Sequence, residues 1–411
     1  MKRTRFIVLL LVVLLCISLI GCSSETEQKD PGPGNEQKEP SSDPAEVKDE
    51  TVVIGSLAAG SSGYNQTSAL AEGLAQGGYK VRVIPTGNGI NRVTQLMDGT
   101  IDYFVGYDEV YLSLEVMAEY AANKVGPVQL RTVLGNTMGL SMVSTGDSGV
   151  ETPADLKGKR VPYVPGDSSV GYKTTSMLAF AGLTWDDVIP VAYPAWVESV
   201  KGLVAGTCDS AQQALPPSSA IYELASTPKG VAYPTFAHDD EEAWARLHEW
   251  APWLFKHKIN AQDLVGLEGD EDLEFVGYIS PSLVTLATTS DEEVYNLVKT
   301  LDEQYDVYKD SLPEMKGWAV EQAGVPPLSA PVHSGVVKYL TEKGIWTDEH
   351  ETWNKEATER SDKLQEVWEK AVFEAKEKNI SDKDFEEFWL SIKEKEIGGF
   401  CKILPEFMRM K

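Results

Sequence analysis

The chain has 411 residues, 42% of them apolar, and a formal net charge of −26. This length allows two lobes with a substantial core. The negative charge argues against nucleic acid or an anionic membrane surface as a partner. The five histidines and four cysteines show no metal-binding spacing, so we expect neither a metal nor another cofactor. Cys208 and Cys401 lie in contexts that favour two free thiols over one bridge.

The N-terminal segment has the order of a lipoprotein signal. Cations at positions 2–5 precede the apolar run 6–19, which is too short for a membrane-spanning helix. The run leads into Leu-Ile-Gly-Cys, so residues 1–22 resemble a bacterial lipoprotein signal peptide with an acylated Cys22. The alternatives are an uncleaved anchor and a plain secretory signal. We predict an extracytoplasmic protein held by lipid at the outer face of the cytoplasmic membrane or on the periplasmic side.

Residues 23–50 have the composition of a disordered tether. They are rich in Ser, Pro, Gly, Glu and Lys, with almost no large apolar side chain. Such a segment buries too little surface to offset the entropy of ordering it. We expect it to hold the folded body away from the bilayer.

The body of the chain alternates short apolar runs with helical patterns. Strands are predicted at 51–56, 81–84 and 101–105, with a helix at 67–75 and another that opens after the turn at 86–89. A second unit begins near residue 150 with a similar rhythm, and the β-type segment 274–288 returns to the first. The repeated β-loop-α order predicts a mainly parallel sheet with helices on both faces.

From residue 291 to the end the pattern is helical, with one amphipathic face at Leu364, Val367, Trp368 and Val372. We therefore predict an α/β protein of two lobes, each a mixed, mainly parallel sheet flanked by helices, with a ligand cleft between them. Lobe I comprises residues 51–145 and 275–350, lobe II comprises 146–274, and the helical extension 351–411 packs on lobe I.

Several segments resemble the solute receptors of TRAP transporters of the TAXI type. They occur in the family's order between about residues 51 and 346, and each is weak alone. They are Ile54-Gly-Ser with Tyr64, Pro85-Thr-Gly-Asn-Gly-Ile-Asn91, Leu96-x-x-Gly-x-Ile-Asp102, Asp155-Leu-Lys-Gly-Lys-Arg-Val161 with Pro165-Gly166, and Ala330-Pro-Val-His-Ser-Gly-Val-Val-Lys-Tyr339.

The resemblance implies a type II periplasmic-binding-protein fold and no enzymatic activity. It implies a monomeric receptor that captures a small organic acid or amino acid, such as glutamate, and delivers it to the membrane permease of a TRAP-type secondary transporter. The alternatives are a receptor for an ABC importer or a sensor kinase, and, in a different class, an extracellular enzyme on this fold. The loops 165–169 and 106–108 depart from the family pattern, so no particular substrate is transferred.

The candidate ligand residues follow from loop chemistry and from the resemblance. The loop 166–169 precedes a helix, so its N–H groups and hydroxyls suit a carboxylate, whereas Asp167 suits helix capping or a ligand amine. The aromatic and amide side chains suit stacking and hydrogen bonding, and core packing or turn formation is the competing interpretation. The predicted residues are Tyr64, Asn65, Thr86, Asn88, Asn91, Asp108, Thr137, Gly166, Asp167, Ser168, Ser169, Trp196 and Gln213.

One segment imitates a catalytic signature. Gly146-Asp-Ser-Gly149 copies the centre of a serine-protease motif, but its flanking residues and a histidine partner segment do not match. We expect a structural turn at this position, and we assign His333 a structural role.

Overall fold

The computed structural model describes residues 51–215 and 219–409. The predicted signal peptide, Cys22 and the tether lie outside these residues. No helix in the described part is both long and apolar enough to cross a membrane. The strands are β1 (Thr51–Ser56), β2 (Lys80–Pro85), β3 (Tyr103–Gly106), β4 (Leu130–Thr145), β5 (Arg160–Tyr163), β6 (Ile189–Ala192), β7 (Ser210–Leu215), β8 (Val231–Ala232), β9 (Phe255–Asn260) and β10 (Asp272–Leu286).

Helices separate and follow these strands, so the α/β class is confirmed. The helices are α1 (Ser62–Gln76), α2 (Gly89–Met97), α3 (Glu109–Leu114), α4 (Glu119–Ala122), α5 (Ser168–Phe180), α6 (Trp196–Ala205), α7 (Ser219–Ala225), α8 (Glu241–His248), α9 (Asp291–Glu303), α10 (Tyr305–Tyr308), α11 (Val320–Ala323), α12 (Ser334–Glu342), α13 (Asp348–Glu377), α14 (Phe385–Glu396) and α15 (Glu406–Arg409).

Two long antiparallel strands, β4 and β10, connect two groups of strands. The first group is β1, β2 and β3, and the second is β7, β8 and β9. The order of the large sheet is β2-β1-β3-β10-β4-β7, with β9 on β10 and β8 on β4. One end of β10 pairs with β3, and its other end pairs with β9. Likewise, the second half of β4 pairs with β7. β4 and β10 therefore pass from one strand group to the other, as expected for the crossing strands of a hinged protein.

The pairing is more antiparallel than predicted. Parallel pairs are β1 with β2, β1 with β3, and β5 with β6. β4 and β10 instead run antiparallel to each other along most of their length. The β-loop-α rhythm indicated the parallel pairs, because each joins strands that a helix separates. It gave no sign of β4, in which glycine and serine interrupt the apolar pattern.

The first helix begins earlier than predicted. α1 starts at Ser62 because the Ser61 hydroxyl accepts a hydrogen bond from the Tyr64 N–H at 3.1 Å and so caps the helix. Tyr64 and Asn65 therefore lie in its first turn and do not close a loop.

The C-terminal extension contacts segments from both predicted lobes. α14 buries Trp389, whose indole N–H donates to the Val116 carbonyl at 2.8 Å. Further along, the Tyr172 hydroxyl of α5 donates to the Lys402 carbonyl at 2.9 Å, and Phe407 packs on Tyr163. These contacts go beyond the expected packing on lobe I, whose boundaries stay a prediction.

The buried face of α13 is shifted from the predicted one. Leu364, Val367 and Trp368 are buried, as predicted, but Val372 is 40% exposed, so its assignment to this face is wrong. Ala371 and the later Ala375 are buried instead, because small side chains let α13 approach the neighbouring helix closely.

Candidate functional site

A buried polar cluster lies between the helices that follow β3 and β5. It consists of residues of α2 to α5 and of the residues that precede α3 and α5. We call this set the polar cluster: Arg92, Asp108, Glu109, Glu119, Tyr120, Asp167, Ser169 and Lys173.

Asp108, which precedes α3, is bonded to two residues of α5. Its carboxylate forms an ion pair with Lys173, and both side chains are at least 95% buried. The Ser169 hydroxyl donates to Asp108 Oδ2 at 2.6 Å, and the Trp253 indole N–H donates to Oδ1 at 3.0 Å. The ammonium group of Lys173 also lies 5.1 Å from the centre of the Tyr278 ring. Asp108 thus accepts hydrogen bonds from one charged and two neutral donors, and all three donors lie after β5 in the chain.

A second buried pair lies beside it. The Arg92 guanidinium pairs with Glu109, with Nε donating to Oε1 at 2.9 Å. Arg92 Nη1 also donates to the Thr86 carbonyl at 3.1 Å, so the β2–α2 loop joins the polar cluster through its backbone. Thr86 is itself buried, and its hydroxyl donates to Gln95 at 3.2 Å.

Glu119 and Asp167 form no ion pair with any described residue, in contrast to Asp108 and Glu109. Burial raises the pKa of Glu119 from 4.5 to about 7, although the Ser168 hydroxyl acts against that rise. Burial also raises the pKa of Asp167, despite its capping bond from the Val170 N–H at 3.0 Å. Both side chains keep some exposed surface, yet protein atoms surround their carboxyl groups. The polar cluster therefore holds two carboxyl groups in excess of its cations.

The hydroxyl of Tyr120 completes the polar cluster. Tyr120 is fully buried, and its hydroxyl has no hydrogen-bond partner among the described residues. Burial raises its pKa, and the charges of Glu119, Glu109 and Asp167 add to that rise. A Cβ atom on Gly89 would lie 3.1 Å from this hydroxyl and 2.8 Å from Glu109 Cβ. The β2–α2 loop thus closes over the Tyr120 hydroxyl, and only glycine fits there.

We expect Gly89→Ala to displace the start of α2 and to lower the free energy of unfolding by about 1–3 kcal/mol, as overpacking usually does. Gly87→Ala is the matched control, because no atom lies within 4 Å of a Cβ at that position of the same loop. Urea unfolding of both variants measures the difference. Equal stability of the two variants would contradict the close approach at Gly89.

The turn before α4 has an unusual backbone. Val116 and Ala118 have φ values of 51° and 49°, a region that costs a non-glycine residue energy, most of all a β-branched one. α14 holds this turn from outside, because Trp389 donates to the Val116 carbonyl and Lys393 donates to the Glu115 carbonyl at 3.0 Å. The C-terminal extension therefore helps to position Glu119 and Tyr120.

The structure brings part of the predicted site together. Thr86, Asp108, Asp167, Ser168 and Ser169 lie in or beside the polar cluster. The Gly166 N–H, predicted to receive a carboxylate, donates to the Met408 carbonyl at 2.7 Å.

Other predicted residues have local structural partners. Asn88 caps α2 by accepting from the Asn91 N–H at 3.0 Å, and both side chains are exposed. The Trp196 indole N–H donates to the Gln212 carbonyl at 3.0 Å, within the core around α6 and α7. Thr137 is exposed on β4, and Gln213 is buried in β7. The hydrogen bonds described for Asn88, Asn91 and Trp196 are made to residues outside the polar cluster.

Sequence reasoning missed Arg92, Glu109, Glu119, Tyr120 and Lys173. One signal was available, because Lys173 is the only charged residue in α5. A single charge in an otherwise uncharged helix that packs in a core requires a buried partner. Glu119 and Tyr120 gave no comparable signal.

Two open surface hollows, of about 490 Å³ and 290 Å³, lie away from the polar cluster. Both border α13 and share Arg131 and Ala287. Their lining side chains include none of the predicted ligand residues, and we assign them no role in solute binding.

Three local predictions concern residues outside the site. Cys208 and Cys401 are free, as expected. His333 is buried and caps α12, with Nδ1 accepting from the Gly335 N–H at 3.1 Å, which confirms its structural role. Ser148 sits in a turn, where its hydroxyl donates to the Thr145 carbonyl at 2.5 Å.

Two strand groups joined by long crossing strands and covered by helices are the architecture of the two-lobed periplasmic-binding-protein fold. The chain belongs to the NMT1-like family, whose model matches residues 110–344, more than half of the sequence. This family of solute-binding proteins implies an extracytoplasmic location. No curated protein matches the chain significantly by sequence.

Several solved structures are distantly similar in fold. An ancestral arginine-binding protein bound to arginine is 18% identical, with a TM-score of 0.35 over 65% of this chain and 97% of that one. An amino acid ABC transporter substrate-binding protein from Streptococcus pneumoniae, bound to L-arginine, is 14% identical, with a TM-score of 0.35 over 65% and 95%. A structure described as a periplasmic sulfonate-binding protein from Methylobacillus flagellatus KT is 16% identical, with a TM-score of 0.38 over 73% and 88%. These scores are too low to support any argument about the solute of this chain.

Proposed function

We propose that the protein is a lipid-anchored extracytoplasmic receptor that captures a small amino acid or organic acid between two lobes and delivers it to a TRAP-type secondary transporter. Membership of the NMT1-like family supports the receptor role. The order of the motifs between residues 51 and 346 supports the TRAP assignment, and the Leu-Ile-Gly-Cys ending at Cys22 supports the anchor.

The observation that carries the proposal is the contact of Asp108 with Ser169 and Lys173. Asp108 precedes α3, which follows β3, whereas the other two residues lie on α5, which follows β5. These strands belong to different sheets. A solute bound beside this contact would interact with both sides at once and would favour the closed arrangement.

Mass spectrometry of the solute that copurifies with the protein tests the receptor function directly. We expect one predominant amino acid or organic acid. Adding that solute to protein stripped by unfolding and refolding should reduce the radius of gyration measured by small-angle X-ray scattering. A radius that stays constant across a broad panel of amino acids and organic acids would contradict the proposal.

The transporter partner requires a separate experiment. With the identified solute, uptake into membrane vesicles should depend on this receptor and on an imposed ion gradient, and it should continue without ATP. Uptake that requires ATP would assign the receptor to an ABC importer instead. Solute binding without any uptake would favour a sensor kinase partner.

A further inference from the structure

The polar cluster leaves two carboxyl groups without a counter-charge. Lys173 pairs with Asp108, and Arg92 pairs with Glu109, so neither Glu119 nor Asp167 forms an ion pair with a described cation, although the charge of Lys173 acts on Asp167. An ionised carboxylate in a poorly hydrated site without a partner is costly. The fold nevertheless places these two groups near enough for the charge of Asp167 to raise the pKa of Glu119.

Tyr120 provides an independent sign of a missing partner. Its hydroxyl is buried, lies near enough to Glu119, Glu109 and Asp167 for their charges to raise its pKa, and has no hydrogen-bond partner among the described residues. Buried hydroxyl groups are normally satisfied, because an unmade bond costs free energy. A donor placed between Tyr120 and the two carboxyl groups would satisfy all three.

The polar cluster lies close to the protein surface. Glu119 and Asp167 each keep part of their surface exposed, and the adjoining residues Gly87, Asn88 and Gly166 are exposed. The described residues contain no group of three or more His, Cys, Asp or Glu side chains arranged for a metal ion. An organic cation needs fewer carboxylates than a divalent metal ion and forms directed hydrogen bonds, so it suits a site with two carboxyl groups and one hydroxyl.

We infer that the solute has a net positive charge and carries an ammonium or guanidinium group, which Glu119 and Asp167 bind as anions while the Tyr120 hydroxyl accepts one of its hydrogen bonds. The inference rests on the proposed receptor function and narrows its substrate class. A dicarboxylic amino acid such as glutamate has a net negative charge that this site does not compensate. A basic amino acid or a diamine fits its charge.

The titration of Glu119 gives the inference a pH signature. The charges of Asp167 and Glu109 raise the pKa of Glu119, whereas Asp167 is acted on by Lys173, which lowers its pKa, and by Glu109 and Asp108, which raise it. A pKa of about 7 means that Glu119 holds a proton at pH 6 in the free protein. A bound cation stabilises the ionised form, so binding at pH 6 releases that proton and affinity rises as the pH increases toward 8.

The test uses the full folded chain, stripped of solute, and isothermal titration calorimetry. The cationic probes are L-arginine, L-lysine and putrescine, and the comparison probes are L-glutamate and 2-oxoglutarate. We expect at least one cationic probe to bind more tightly than both comparison probes. Its apparent enthalpy at pH 6 should vary with the ionisation enthalpy of the buffer, which reports the released proton.

Three conservative variants separate binding from folding. Glu119→Gln and Asp167→Asn keep the size and hydrogen bonding of the side chains, and asparagine still caps α5. Each variant should lower the affinity for the cationic probe by roughly 10- to 100-fold. Tyr120→Phe should weaken binding of the probe by roughly 2- to 10-fold without lowering the stability of the free protein, because the hydroxyl has no hydrogen-bond partner to lose.

Glu386→Gln is the matched control. Glu386 is another buried glutamate whose pKa is raised by burial, but it lies on α14 beside Arg409 and outside the polar cluster. It should leave the affinity for the probe unchanged. If affinity survives Glu119→Gln and Asp167→Asn, or if a divalent metal ion competes with the probe, the inference is wrong. If only 2-oxoglutarate or L-glutamate binds, the inference fails while the receptor function stands. Binding of no solute at all overturns both.

Discussion

Replacing Glu115 with alanine is expected to lower the free energy of unfolding by about 3–5 kcal/mol, the usual cost of removing one partner of a buried ion pair. Glu115 is 1% exposed at the end of α3. Its carboxylate accepts from Lys393 at 2.7 Å and from Arg360 at 2.6 Å and 2.8 Å. Lys393 has no exposed side-chain surface, so the variant leaves a buried ammonium group without its counter-charge.

The pH dependence gives this prediction a second readout. Burial alone would raise the pKa of Glu115, but the charges of Lys393 and Arg360 outweigh burial and hold it below its ordinary value of 4.5. A carboxyl group with a lowered pKa stabilises the fold above the unfolded value, and that stability is lost as the pH falls. The difference between the natural protein and Glu115→Ala should therefore shrink below about pH 4.5.

Glu394→Ala is the control for this experiment. Glu394 is exposed on the same helix, α14, and forms no ion pair with a described residue. A surface change of this kind usually alters stability by less than about 0.5 kcal/mol. Urea unfolding at pH 7 and pH 4 compares the variants. If Glu115→Ala and Glu394→Ala have the same stability at pH 7, the buried network does not hold the extension in place.

Lys173→Met is the second large prediction, and we expect it to destabilise the protein by about 3–5 kcal/mol. Methionine keeps the volume of the lysine stem but leaves Asp108, which is 3% exposed, without its cation. The Ser169 and Trp253 donors remain and cannot replace a full positive charge. Thermal and urea unfolding measure the loss.

A double-mutant cycle tests the pairing of Asp108 with Lys173. Asp108→Asn removes the negative charge and keeps an acceptor for Ser169 and Trp253. Because the double variant carries neither buried charge, it should be more stable than Lys173→Met alone, with a coupling energy of at least about 1 kcal/mol. Additive losses would mean that the two charges do not depend on each other.

The sequence predicted the elements whose apolar runs are continuous. β1 has the predicted bounds, and the β-type segment after residue 274 became β10, which returns to β3. β4 was not predicted. Its sequence contains Gly135 and Gly139, where Ile279 and Ile259 approach so closely that a Cβ would lie 2.6 Å and 2.3 Å away. Glycine at these positions allows neighbouring strands to approach closely. The local hydrophobic pattern of the sequence does not show that requirement.

The residues of the candidate site also fall into those that local sequence signals predicted and those that they did not. Asp167 and Ser169 were found because a glycine-containing loop precedes a helix, a local signal of ligand or capping chemistry. Glu119 and Tyr120 were missed because α4 is a single turn, entered through residues with positive φ and without a side-chain cap. Their positions depend on contacts with α14, more than 260 residues further along the chain.

The attachment of α14 to the turn at Val116 and Ala118 has a practical consequence. A recombinant fragment ending near residue 346 would contain every motif shared with solute receptors and every strand of both sheets. It would lack Trp389 and Lys393, which fix that turn. The turn would then relax toward ordinary φ values and carry Glu119 and Tyr120 away from Asp167. Ligand screens on this fragment would therefore fail to detect solutes that the full chain binds, even if the fragment folds and remains soluble.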